Sequence, residues 1–170
     1  LPEGWERLAA SEAMAINPRT TFRASESKLI TMVPMGALST SGMSCDPSLF
    51  ERREQPAGVK FMNGDTLFAR ITPCLENGKT GYVNFLKEGE IACGSTEFVV
   101  FRERGISRFM AYLLSREEGF RKNAITSIKR KADIFIHEYL KCRSFILKNE
   151  QNKFAIISVK YINCIISLIV

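Results

Sequence analysis

Gly64–Phe98, GDTLFARITPCLENGKTGYVNFLKEGEIACGSTEF, is the stretch on which the reading of this chain turns. Thr66–Ile71 (TLFARI), Gly81–Leu86 (GYVNFL) and Thr96–Arg102 (TEFVVFR) are short runs rich in apolar, β-branched and aromatic residues, the composition of strands. Asn63-Gly64-Asp65 and Glu76-Asn77-Gly78 carry turn chemistry. Strands this close, joined by turn-length links, predict a curled, mostly antiparallel sheet. Polar residues able to hold a ligand lie between the runs: Arg70, Thr72, Asn77, Lys79, Ser95 and Thr96.

Working outward, Leu29–Met35 is an apolar strand, and Ser39–Gln55 is rich in Ser, Gly, Asp and Pro and reads as an exposed loop. That loop carries Arg52 and Arg53, flanked by Glu51 and Glu54. Residues 1–12 lead into a short helix, and Asn17-Pro18 stops helical continuation, because proline lacks the donor and restricts the residue before it. Over Ser107–Ala124 the apolar residues switch to helical spacing, which predicts an amphipathic helix with a break at Gly119. Lys129, Arg130 and Lys131 fall in a loop, and Ile134–Leu147 reads as either strand or helix. In the tail, Phe154, Ile157, Tyr161, Cys164 and Leu168 repeat as on a coiled-coil seam, which predicts the start of a long helix over 149–170. Lys160 within it argues against a membrane span. The expected organisation is therefore α+β: a domain over 1–148, then a spacer or dimerisation helix.

The chain has 170 residues, 45% of them hydrophobic and 25% charged, which suits one domain with an appendage. The net charge of +6 is unevenly placed. Residues 1–101 hold ten Lys/Arg against twelve Asp/Glu, while residues 102–131 hold nine against three. A concentrated basic window is either a solvated face or a face for phosphates. The five cysteines include no CxxC pair and there is a single histidine, His137, so no metal site is expected. Their odd number fits reduced thiols in the cytoplasm. No glycine-rich cofactor loop is present, and Asn17-Pro18-Arg19-Thr20 has only the opening of the Asn-Pro-Pro-aromatic motif with which amino-methyltransferases hold their target. The expectation is a non-catalytic chain without a cofactor.

The wording of GDTLFARITPCLENGKTGYV, with the later GSTEF, the opening LPEGW, Ile16–Thr20 (INPRT) and Val33–Ser39 (VPMGALS), closely resembles the target recognition domains of type I restriction-modification specificity subunits. The motifs fall in the family's order over roughly the first 125 residues. The resemblance implies sequence-specific recognition of double-stranded DNA on behalf of separate methyltransferase (modification) subunits and a restriction subunit. Specificity subunits carry two such domains joined by long helices, so this chain looks like half a subunit, truncated or naturally half-length, with a homodimer through the C-terminal helix as one outcome.

The candidate DNA-binding residues are Arg52, Arg70, Thr72, Asn77, Lys79, Ser95, Thr96, Lys129, Arg130 and Lys131. Arg70 reads either as a guanine-gripping fork or as an ion-pair partner of Glu76 or Asp65. Asn77-Gly78 either offers open amides to a phosphate or simply shapes a hairpin. Motif residues shared across readers of different sequences serve fold and backbone contact, so base reading is expected in loops such as Ser39–Arg53 and the region of Lys129. Competing classes are a half-length protein acting as a homodimer on a symmetric split site, a fragment of an adenine DNA methyltransferase, and an RNA-binding module. The last lacks the aromatic stacking wording of RNA-binding sheets.

Overall fold

The computed structural model describes the backbone of residues 5–8, 10–21, 29–129, 145–149 and 154–157. Two four-stranded sheets form the body. The first has the order β2 (Met14–Ile16), β9 (Phe98–Glu103), β6 (Thr66–Ala69), β7 (Thr80–Tyr82) and is antiparallel throughout. The second has the order β4 (Glu51–Arg53), β3 (Ile30–Val33), β8 (Ile91–Gly94), β5 (Val59–Met62), and only its β3–β8 pair is parallel. A third sheet brings β1 (Trp5–Leu8) together with β10 (Phe145–Asn149) and β11 (Phe154–Ile157), all antiparallel. The helices are a single turn, α1 (Ala10–Ala13), followed by α2 (Arg108–Arg116) and α3 (Glu118–Lys129). This is the α+β, mostly antiparallel architecture expected.

The β6–β9 register explains why TLFA and FVVF read as unbroken apolar runs. Leu67 stands opposite Val100 and Phe68 opposite Val99, so successive pairs point to opposite faces of the sheet. Phe68, Val99 and Phe101 pack with Ile106, Leu114 and Phe120 from the helical side. Leu67, Phe98 and Val100 pack with Val33, Phe61 and Ala92 of the second sheet. With both faces covered, all four residues of β6 are buried. Phe120 meets Phe68 and Phe101 edge to face, each at 5.8 Å between centroids. Each ring so enclosed contributes about 2–3 kcal/mol of transfer free energy.

Polar joints lock the strands in place. Asp65, 1% exposed, accepts both arms of the Arg102 guanidinium at 2.7 Å and the Met62 amide at 2.8 Å. Arg102 also donates to Thr20 Oγ1 at 2.9 Å. Asn17, at φ +48°, donates its amide to Val100 O and accepts the Val100 amide on Oδ1, at 2.8 and 2.9 Å, and so continues β2 against β9 by one side chain. A Cβ on Gly94 would lie 2.6 Å from the Phe98 ring and 3.1 Å from Phe61, so only glycine fits beneath those rings.

Three expectations change. The helix over Ser107–Ala124 breaks at Glu117, not Gly119. Glu117 is extended (ψ 130°), and its carboxylate accepts the amides of Gly119 and Phe120 at 2.9 and 2.6 Å, which caps α3. α3 then runs on, so Lys129 ends a helix rather than lying in a loop. In the tail, the described residues 154–157 pair as strand β11 with β10 where a helix was expected. The rest of the expected helix, 150–153 and 158–170, lies outside the described residues, as do Arg130 and Lys131.

Candidate nucleic-acid interface

β6 and β8 end, and β7 and β9 begin, at one end of the paired sheets. That topology gathers Arg70, Thr72, Asn77, Lys79, Ser95 and Thr96 onto a single rim, although they are spread along the sequence. Arg70 continues the β6–β9 ladder, donating its amide to Glu97 O at 3.0 Å, while its Nε reaches Glu97 Oε2 at 3.1 Å. The ion-pair partner is thus Glu97, and Asp65 belongs to Arg102. With both side chains about one-third exposed, the pair contributes under about 1 kcal/mol. A guanidinium grips a base through its terminal nitrogens, so an Nε ion pair and a base contact are compatible. Ser95 Oγ accepts the Glu97 amide at 3.2 Å and its carbonyl accepts Phe98 N–H at 3.1 Å, which forms the tight turn that presents Thr96.

The Ile71–Lys79 loop is a coiled turn rather than a plain hairpin. Leu75, Asn77, Gly78 and Lys79 donate their amides to the carbonyls of Ile71, Pro73, Leu75 and Cys74, at 2.8, 2.9, 3.1 and 2.9 Å. The amides of Asn77 and Gly78 are therefore occupied and offer nothing to a phosphate, contrary to one expectation. Gly78 is required twice over: φ is +75°, and a Cβ would lie 2.7 Å from the Arg121 guanidinium. Thr72 and Asn77 are left with exposed side chains, and Lys79 Nζ lies 3.4 Å from Met35 O.

Arg52 stands apart on edge strand β4, donating to the buried Thr31 hydroxyl at 2.9 Å, beside the Arg53–Glu51 pair. The Ser39–Gln55 segment is less loose than its composition implies. Ser39 and Ser44 bridge to Thr80 and Tyr82, and Cys45 is buried. Burial pushes the Cys45 thiol up to about 11.

The basic window looks different once folded. Arg102 pairs with Asp65, Arg108 with Glu103 and Lys122 with Glu118, while Arg104 donates to Ser11 O. Arg116 donates to Gly78 O at 2.9 Å and to Thr40 O at 2.7 Å, and Arg121 donates to the carbonyls of Leu75 and Glu76. Burial, and then the neighbouring Arg116 charge, lower the Arg121 pKa. Every one of the six cations whose side chains are described thus has an intramolecular partner. Sequence reasoning saw this window as charge and missed Arg116 and Arg121 as loop clamps. Nothing in the order of residues announces that two helical arginines will meet the carbonyls of distant loops.

No protein-family model matches the chain. Over 116 residues, 67% of the chain, it is 36% identical to the type I restriction enzyme EcoEI specificity subunit of Escherichia coli. Over 104 residues, 60% of the chain, it is 36% identical to the EcoAI specificity subunit of the same organism. This part of the chain belongs to the type I restriction specificity-subunit family. It spans only 19% and 17% of those two proteins. Two solved structures are similar in outline. One is a chain from a type I R-M system whose complex assembly and conformational transition were described, with TM-score 0.49, 20% identity, and coverage of 72% of this chain and 30% of that one. The other is the HsdS subunit of Thermoanaerobacter tengcongensis, with TM-score 0.47, 19% identity, and coverage of 82% and 38%. At these scores the family assignment rests on the sequence relatives alone. Among the described residues no helix is long and apolar enough to cross a membrane.

Proposed function

We propose that this specificity-subunit segment is a target recognition domain, which reads a short sequence in double-stranded DNA. In this reading it supplies that specificity to the methyltransferase and restriction subunits of a type I system and performs no chemistry itself. The observation that carries the proposal is the 36% identity over 116 residues to a type I restriction specificity subunit. The geometry supports it: polar side chains from separate loops converge on one exposed rim, built on a sheet covered on both faces. A non-catalytic role fits the placement of Asn17, the opening residue of the incomplete Asn-Pro motif, which is bonded to the β9 backbone. A place in the cytoplasm follows from the same reading. The candidate contacts are Arg70, Thr72, Asn77, Lys79, Ser95 and Thr96 on the rim, Arg52 on the sheet edge, and Lys129, Arg130 and Lys131 toward phosphates. Two positions of the tail seam, Phe154 and Ile157, lie in strand β11 and do not support a homodimer through a C-terminal helix.

The test is duplex binding by the full chain, alone and together with the methyltransferase subunits encoded nearest its gene, across a salt series. Binding should prefer particular sequences and fall with salt by about 0.9 log units per log unit for each phosphate contact. Reversing Lys129, Arg130 and Lys131 to Glu should weaken binding to all sequences alike and flatten the slope. Equal affinity for every duplex in both settings, or binding of S-adenosylmethionine by the chain itself, would overturn the reading.

A further inference from the structure

The Ser39–Ser44 loop is held almost entirely by its main chain. Ser39 O accepts the Thr80 amide at 3.0 Å, Thr40 O accepts Arg116 Nη2 at 2.7 Å, Gly42 O accepts the Tyr112 hydroxyl at 3.3 Å and Met43 O accepts the Tyr82 amide at 2.8 Å. From inside, Ser39 Oγ accepts the amides of Ser41 and Gly42 at 3.1 and 2.6 Å. The side chains of Thr40 and Ser41 are exposed. The neighbouring Ile71–Lys79 loop is built the same way. Its amides close on its own carbonyls, Gly78 O and Leu75 O accept from Arg116 and Arg121, and Asn77 projects an exposed carboxamide.

One guanidinium joins the two loops. Arg116 places adjacent nitrogens on Thr40 O and Gly78 O. A planar fork with fixed angles sets the spacing between the two carbonyls, which a single-point ammonium cannot do. Both loops are therefore preorganised by bonds that do not depend on which side chains they display. The Ser39–Ser44 loop displays a hydroxyl pair, from Thr40 and Ser41. Hydroxyls can bond to any base edge. A reader whose backbone is fixed and whose outward side chains are free to differ can change target without refolding.

We infer that Thr40 and Ser41 are specificity-determining residues, and that Arg116 is the positioning residue that holds their loop against the Ile71–Lys79 loop. This rests on the DNA-reading proposal above and adds which loop reads and what holds it.

The experiment presents random-sequence duplex DNA to the full chain with its methyltransferase subunits and reads the retained sequences. Wild-type protein should retain a common motif. The T40A/S41A variant should retain a different or relaxed one, with the preference for the best site over bulk DNA reduced about tenfold or more. Its binding to bulk DNA and its salt slope should stay as in wild type, and so should its urea midpoint. R116A and R116K should both broaden the motif without changing the slope, because lysine keeps the charge but loses the fork. A T40A/S41A variant that keeps the wild-type motif and preference overturns the assignment of the loop, even if R116A fails to fold. If R116K keeps the motif while R116A lowers the salt slope, Arg116 is a phosphate contact and the positioning role is wrong. If wild-type protein retains no motif at all, the DNA-reading proposal fails first and this one with it.

Discussion

The joint around Asp65 and the rim beside Arg116 are both closed by a forked arginine, yet they constrain the sequence in opposite ways. At the joint, the Arg102 fork closes on a carboxylate that is 1% exposed, so the side chain itself is the partner and its identity is fixed. At the rim, the Arg116 fork closes on the carbonyls of Thr40 and Gly78, so the backbone is fixed while the Thr40 side chain remains in water. Gly64-Asp65, Asn17 and Gly94, all within stretches that carry the family resemblance, are of the first kind, and their chemistry is directed inward. Thr40 and Ser41 lie just outside those stretches, on a loop held mostly through its main chain.

Substitutions at five positions probe that contrast. The largest expected effect is D65A, which leaves the Arg102 charge and the Met62 amide without their partner; urea unfolding should show a loss of about 3 kcal/mol. G94A should follow at about 2 kcal/mol by the same measurement, because its Cβ would be driven into the Phe98 and Phe61 rings of a filled core. N17A removes the acceptor for the Val100 amide and should cost about 1–2 kcal/mol; N17G should cost no more, since glycine adopts the left-handed backbone without strain. The smallest effect is expected from T40A and S41A, within about 0.5 kcal/mol, because no buried group loses a partner. If T40A destabilised the chain as much as D65A, the contrast between joint and rim would collapse. If D65A proved silent, the buried pair would not be what holds β6 to β9.

Much of the β core was legible beforehand, because a strand covered on both faces must be apolar at every position, and TLFA and FVVF are. The strand β3 within Leu29–Met35 and the turn at Asn63-Gly64 were legible for the same local reasons. Glu117 was not, since a carboxylate that caps the following helix looks the same in sequence as one that continues the preceding helix. Nor was the tail, where Phe154–Ile157 (FAII) suits a seam and a strand equally and pairing with β10 decides. At the rim, the residue types were visible but their gathering was not.

The sequence by itself determined the α+β class, the buried strands, the glycines that turns require and the family to which the segment belongs. These follow from short-range pattern and from chemistry written at fixed spacing. Only the tertiary structure decided which charges are available. It paired Arg70 with Glu97 instead of Glu76 or Asp65, and it closed the Asn77-Gly78 amides on their own loop. It also turned six cations of a basic window into internal partners. A charge is a property of a residue, but its availability depends on what the fold brings within hydrogen-bond reach. Here that was decided by strands, helices and loops that lie far apart along the chain.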